Sequence, residues 1–251
     1  MKKDKKFAII IAAFVVAAAL IVVGGVGTAR AVAQYQSNAY EAQIAMKEVG
    51  VTISENGTLV ADKQDNKVSD LLTNLVPEGE TFATNKPYAE VLKATNAGTI
   101  TEYIRVVLDL YWKDAEGNKL TNLSPSLIGM SLTEDGDWLK DLEANGWVID
   151  YDNSSYLNGG EQLILYYAQP VEVGDSTSEI SNFISVDSKI STAVTQTEED
   201  GVVTTVYKYD GVQFGVGIEA DAIQTHNAED AMLSAWGVKV NIDDDGTLSL
   251  K

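Results

Sequence analysis

The residues best suited to acid–base or metal chemistry are His226 and the two carboxylates that follow it, in the stretch His226-Asn-Ala-Glu229-Asp230. A helix would place Glu229 and Asp230 on the same side as the imidazole, because they lie three and four residues further on. A zinc hydrolase usually needs several histidines or a histidine–carboxylate set, whereas His226 is the only histidine here. We therefore favour a structural interpretation, in which His226 precedes a helix and the two acids complement the helix dipole.

A second polar stretch, Asn241-x-Asp243-x-Asp245-Gly246, matches the first half of a calcium-binding loop. The strongest ligand of that loop is a bidentate glutamate at position 12, which would fall one residue beyond Lys251. The ligand set is thus incomplete, and a polar hairpin turn is the better interpretation. We expect no metal and no cofactor.

Other enzyme chemistry has little support in the sequence. There is no cysteine, and therefore no thiol nucleophile and no disulfide framework. A Gly-x-Ser-x-Gly motif is missing, and the glycine-rich Gly24-Gly25-x-Gly27 lies inside an apolar segment instead of following a strand. We predict that the protein has no catalytic residues and is not an enzyme.

The apolar segment Phe7–Thr28 is the clearest signal in the chain. It has 22 uncharged residues and follows four lysines within residues 2–6. A helix of that length covers about 33 Å, enough to cross a bilayer, and the cationic start stays on the cytoplasmic side. Ala29-x-Ala31 fits a signal peptidase, with cleavage before Val32. Residues 1–31 are therefore predicted to be a signal peptide or an uncleaved signal anchor, which leaves residues 32–251 outside the cell or on its surface.

The charge balance limits the partners. The chain has 18 Lys and Arg against 37 Asp and Glu, and five of the former and one of the latter lie within residues 1–31. The exported part then has 13 against 36, a net charge of −23. Such a surface repels nucleic acid and anionic lipid, so we expect no nucleic-acid partner and membrane contact only through the N-terminal segment.

Alternating apolar residues predict an all-β domain. In Ile100–Trp112 one face is wholly apolar and the other half apolar, which is typical of a central strand. Trp147–Tyr151 and Glu161–Ala168 indicate a hairpin, and Asn56-Gly57 a tight turn. Eight to ten such strands, spaced by about ten residues, indicate a single antiparallel β-sandwich domain over residues 32–251.

One helix follows the export segment in this prediction. Ala228–Trp236 has Asn227 as its expected N-cap and Gly237 as its expected stop. Val202–Tyr209 reads as a strand that Asp210-Gly211 turns into the next one, and Trp138–Leu142 forms at most one or two helical turns.

Four stretches of the exported chain and its export segment carry recognisable motifs. They are the end of the export segment, Gly27-Thr-Ala-Arg-Ala31, the strand pair Ala94–Val107 with Tyr111-Trp112, the segment Leu165–Thr177, and Glu219-Ala-Asp-Ala-Ile-Gln224 with the helix to Trp236. Together they resemble the TasA/camelysin family of exported fibre proteins, and the export segment is similar to signals processed by the SipW-type signal peptidase. The resemblance covers most of the exported chain except residues 120–160.

The resemblance implies a jelly-roll sandwich, secretion by a Gram-positive bacterium and assembly into biofilm-matrix or cell-surface fibres from copies of the chain or related proteins. Family fibres form by donor-strand exchange, and here cleavage would free an extended segment, residues 32–46, able to add to an open sheet edge. The candidate donor-strand residues are Tyr35, Tyr40, Ile44 and Met46.

Two alternatives remain open. One is a surface adhesin that does not polymerise, in which residues 32–46 fold back into their own sheet. The other is a camelysin-like metallopeptidase, for which the sequence offers no metal-ligand set.

Overall fold

The computed structural model describes residues 48–63, 65–69, 71–72, 74–199 and 202–251. All described elements belong to one compact unit, Lys47–Lys251. The predicted export segment and the candidate donor segment 32–46 lie outside the described residues. Among the described residues, no helix has the length and apolar character needed to span a membrane.

The described chain is rich in β-strands, as the sequence predicts. In chain order the strands are β1 (Val51–Glu55), β2 (Thr58–Ala61), β3 (Lys67–Val68), β4 (Tyr88–Asn96), β5 (Glu102–Lys113), β6 (Ile128–Ser131), β7 (Trp147–Ile149), β8 (Gln162–Tyr167), β9 (Ser181–Val186), β10 (Val194–Glu199), β11 (Val202–Tyr207), β12 (Gln213–Gln224), β13 (Val240–Ile242) and β14 (Leu248–Leu250). The α-helices are α1 (Trp138–Ala144) and α2 (Ala228–Trp236), and short 3-10 helices cover Pro125–Leu127, Ser155–Asn158 and Ser188–Ser191.

Two five-stranded antiparallel sheets form the body of the domain. One has the strand order β2-β1-β4-β9-β6 and the other β3-β12-β5-β8-β7, while β10–β11 and β13–β14 form separate two-stranded sheets. The inner faces of the five-stranded sheets share one apolar core, which includes the fully buried Ile53, Leu92, Leu108 and Leu165. This arrangement confirms the all-β sandwich at the level of sheets and core.

The central position predicted for the Ile100–Trp112 strand is confirmed. β5 pairs with β12 along all twelve residues and with β8 on its other edge. The inner face carries Leu108 and Leu110, while Tyr103 on the opposite face is covered by α2 and the β13–β14 hairpin. Both faces of β5 are buried, which is why its second face is half apolar in sequence.

Both α-helices differ in part from the prediction. α1 is a second helix, whose Asp137 caps it by accepting a hydrogen bond from the Lys140 backbone N–H. α2 has the predicted bounds and ends at Gly237, whose φ of 71° suits glycine. The N-cap prediction for Asn227 is wrong, because its backbone is left-handed (φ 54°) and its side chain makes no capping hydrogen bond.

The predicted turns are present, but one of them joins strands that do not pair. Asn56 and Gly57 both have positive φ, 49° and 81°, and connect β1 to β2 as expected. Gly211 also has positive φ, 70°. The strands that flank it belong to different sheets, because β11 pairs with β10 while β12 pairs with β5.

We expect Leu108→Ala to lower the free energy of unfolding by about 3 kcal/mol, since it opens a cavity between the sheets at a fully buried site. Leu59→Ala is the matched control, because Leu59 is 60% exposed on β2. Its expected effect is within about 0.5 kcal/mol. Urea unfolding of Lys47–Lys251 measures both, and equal losses would contradict the assigned core.

Candidate functional site

The structure gives His226 and Glu229 different surroundings. His226 is exposed in the turn before α2. One Glu229 carboxylate oxygen accepts a hydrogen bond from the Ile242 backbone N–H at 3.1 Å, and the other lies 3.6 Å from the Lys251 Nζ. Within the part of the chain that the structure describes, no three His, Asp or Glu side chains are grouped to hold a metal ion.

Asn241–Gly246 forms the turn between β13 and β14, as the hairpin interpretation predicts. Its polar side chains bond within the turn. The Asn241 amide donates to Asp243 at 2.8 Å, and Asp245 accepts from the Thr247 backbone N–H at 3.0 Å. These contacts explain the spacing of the acids without a calcium ion.

The outer edge of β12 is the feature that suits strand addition. Odd-numbered residues of β12 face β5 with their backbone groups, so even-numbered residues direct theirs away from β5. β3 pairs with Ile218 and Glu219 alone. Ala220 is then covered by Asn66, whose backbone oxygen accepts from the Ala220 N–H at 3.0 Å.

Beyond Ala220 this edge is open. Among the described residues, the outward backbone groups of Ala222 and Gln224 have no hydrogen-bond partner. Unpaired N–H and C=O groups in a row form a template for another extended chain. The open edge, Ala222–Gln224, is therefore the candidate functional site.

A groove of about 380 Å³ lies beside the open edge. Its walls come from the start of the described chain, Val49–Val51, and from the end of α2 at Ala235 and Trp236. Arg105, Asn66 and Lys63 supply polar groups. A groove of this kind has room for the side chains of an added strand.

The charged groups in the groove are already paired. Both Nε and Nη2 of Arg105 donate to Oδ2 of Asp221, and the guanidinium lies over the Trp236 ring at 5.1 Å from its centroid. Asn66 donates to the other Asp221 oxygen at 3.1 Å. The charges of Arg105 and Asp221 therefore neutralise each other in the groove.

The chain enters the described domain next to this groove. The Glu48 and Gly50 carbonyls accept hydrogen bonds of 2.8 Å from the Thr99 and Ala97 backbone N–H groups. Gly98 permits this approach, because a Cβ there would lie 2.6 Å from the Glu48 carbonyl oxygen. The described chain therefore begins beside the open edge.

A buried carboxyl supports the same attachment. Glu102 is fully buried, and its Oε2 accepts from the Gly50 backbone N–H at 3.1 Å. Its Oε1 has no partner among the described residues. Burial raises the pKa of Glu102 to about 7, against the lowering effect of the Gly50 hydrogen bond.

Glu90 is a second buried acid, at the other end of β4 from this attachment. Burial, and then the charge of the neighbouring Glu55 carboxyl and a hydrogen bond to it, raise the pKa of Glu90 to about 8. Asn56 donates to Glu90 at 3.4 Å, and Glu55 accepts from the Leu72 backbone N–H. The Glu55 carboxyl thereby fixes the loop at Leu72 to the sheet.

The residues predicted for cleavage (Ala29, Ala31, Val32) and for the donor strand (Tyr35, Tyr40, Ile44, Met46) lie outside the described residues. No protein-family model, curated protein or solved structure matches the chain. The sequence predicts a strand after Asp210-Gly211, but it does not reveal that the outer edge of this strand is open. The short Lys67-Val68 strand carries no pattern that would reveal how little of β12 it covers.

We expect the free energy of unfolding of the Glu102→Gln variant to increase relative to that of the native chain as pH rises from 5 to 8. The folded-state pKa is raised, so the folded state holds its proton more tightly, and stability is lost as pH rises from about 4.5 through 7. A neutral glutamine avoids this loss, which amounts to about 3 kcal/mol at most.

Urea unfolding of Lys47–Lys251 at the two pH values measures this effect. Glu116→Gln removes the same charge at an exposed turn position and serves as the control. The same stability difference between Glu102→Gln and the native chain at pH 5 and pH 8 would contradict the prediction.

Proposed function

We propose that the protein is an exported structural subunit whose copies assemble into an extracellular-matrix or cell-surface fibre. In this proposal, the segment Val32–Met46 of one copy adds as a strand to the open edge, Ala222–Gln224, of the next copy. The observation that carries the proposal is that edge, which is unpaired among the described residues and borders a groove.

The backbone geometry favours strand addition over side-chain recognition alone. β12 is held rigidly by its full ladder with β5, so the outward groups of Ala222 and Gln224 are fixed in position before any partner arrives. An added strand gains main-chain hydrogen bonds there, while alternate side chains enter the groove. Ile44 and Met46 have the same parity, so both would face the groove together.

Charge supports the same pairing. Residues 32–46 contain one charged residue, Glu41, although the exported chain as a whole is strongly acidic. A nearly neutral segment approaches an acidic domain with little repulsion. Lys63 and Arg105 lie in the groove as well, where they offset its acids.

The connection between domain and donor segment favours assembly into chains. A segment that leaves one copy and binds a different surface of the next makes a head-to-tail contact, which propagates when the rotation does not close. Cleavage after Ala31, the jelly-roll topology and the absence of catalysis belong to the same proposal. They rest on the N-terminal sequence and on the resemblance to the TasA/camelysin family.

We expect electron microscopy and sedimentation to find filaments of Val32–Lys251 and no filaments of Lys47–Lys251. The deletion removes the donor segment and leaves every described element in place. Circular dichroism checks that both chains fold. Folded chains that form no filaments in either case would overturn the fibre proposal and favour the adhesin, whose segment fills its own edge.

A substitution at the edge tests the acceptor separately. Ala222→Pro removes an outward N–H that has no described partner, and proline is tolerated at such edge positions. We expect this variant of Val32–Lys251 to form no filaments, whereas Ala222→Ser keeps the N–H and polymerises.

A synthetic Val32–Met46 peptide should likewise bind Lys47–Lys251 and lose that binding with Ala222→Pro. Filaments from a folded Ala222→Pro chain would exclude this edge as the acceptor.

A further inference from the structure

The β10–β11 hairpin stands apart from both five-stranded sheets. Its two strands pair with each other from Val194↔Tyr207 to Glu199↔Val202, and no further strand joins them among the described residues. Every residue of Thr195–Glu198 and Thr204–Lys208 is exposed, including Val206 at 58% and Tyr207 at 55%. A two-stranded hairpin that buries so little is marginally stable by itself, so a partner surface would stabilise it.

The two edges of this hairpin differ in chemistry. β10 ends in Glu198 and Glu199, and such charges protect an edge from pairing with another chain. β11, Val202–Tyr207, has no charged residue and no proline, and five of its six residues are β-branched. An exposed, uncharged strand of this composition is the kind that pairs with a further strand.

The hydrogen-bond pattern identifies the groups available on β11. Lys208 donates its backbone N–H to the Ala193 oxygen at 2.9 Å, so even-numbered residues of this strand face β10. The backbone groups of Val203, Thr205 and Tyr207 therefore face outward. Within the described chain those of Val203 and Thr205 have no partner, whereas the Tyr207 oxygen accepts a hydrogen bond from the Asp210 backbone N–H at 3.4 Å.

Charge along the hairpin favours one orientation of a second copy. Glu198 lies near the turn and Lys208 at the opposite end, and both are exposed. Antiparallel pairing of two β11 strands brings Lys208 of each copy towards the acidic end of the other. Parallel pairing would instead bring like charges together.

We propose that β11 is a self-association edge, on which two copies of the chain pair antiparallel and join their hairpins into one four-stranded sheet. The contact does not use residues 32–46, so it goes beyond the proposed fibre function and stands or falls separately. It is isologous, because the same strand of each copy forms both sides. Since each copy is strongly acidic, added salt should strengthen the pairing.

Sedimentation equilibrium of Lys47–Lys251 tests the edge with a matched pair of variants. Gln196 and Thr205 face each other across the hairpin and share a hydrogen bond of 3.2 Å, so replacing either removes the same contact. Thr205→Lys places a charge on the β11 edge of both copies and should weaken dimerisation by about tenfold. Gln196→Lys adds the same charge to the β10 edge and should leave the dimer unchanged.

A disulfide cross-link tests the orientation, because the native chain has no cysteine. Antiparallel pairing centred on Thr204 brings the two Thr204 Cα atoms to about 4.5 Å, within disulfide reach. Thr204→Cys should then form a covalent dimer under mild oxidation. Thr197→Cys, opposite Thr204 on β10 and equally exposed, should form several-fold less.

Three results would overturn the proposal, provided that hydrogen exchange shows an intact hairpin. One is a Lys47–Lys251 chain that stays monomeric at high salt. The second is a dimer that resists Thr205→Lys or is lost with Gln196→Lys. The third is association through β11 only in Val32–Lys251, which would mean that the N-terminal segment fills this edge. Missing filaments in Val32–Lys251 would bear on the fibre proposal alone.

Discussion

The ladder between β5 and β12 is the interaction on which the rest of the structure depends. Twelve residue pairs, from Gln213↔Lys113 to Gln224↔Glu102, fix both strands along their whole length. Backbone N–H and C=O groups need partners when they are buried, and β5 obtains them from β12 on one side and β8 on the other. β12 has a complete partner on one side only, which makes its outer edge both rigid and open.

Much of this fold follows from local sequence. The alternation in β5 and the positive φ at Gly57 and Gly237 depend on residues close together in the chain, and their predictions hold. Asn227 fails as a cap because its backbone is left-handed and its side chain makes no capping hydrogen bond. The extent of edge coverage depends on pairings 150 residues apart, as between β3 and β12. The exposure of Thr204–Tyr207 in β11 is likewise hidden, since β-branched and aromatic residues are also enriched in buried strands.

The buried acid Glu102 holds the start of the described chain in place at a cost in folding free energy. The Glu102 carboxylate loses its hydration on burial and receives only one hydrogen bond, from Gly50, among the described residues. One hydrogen bond does not compensate a carboxylate for that loss of hydration. An apolar residue would fill the space more favourably but would leave the Gly50 N–H unpaired. The acid thus specifies where the chain enters the domain, at a cost in stability that depends on pH.

Pairing at the open edge of β12 and pairing at the edge of β11 would produce different assemblies. Strand addition to β12 joins different surfaces of successive copies, so it extends a filament without limit. Pairing through β11 joins identical surfaces and stops at two copies. A chain with both contacts would link filaments side by side in antiparallel pairs, since a two-fold axis reverses direction.

The strong negative charge of the chain would oppose pairing through β11 more than strand addition to β12. Pairing through β11 brings whole acidic domains together, whereas the proposed donor segment is nearly neutral. Ionic strength would therefore control bundling while leaving filament growth largely unaffected.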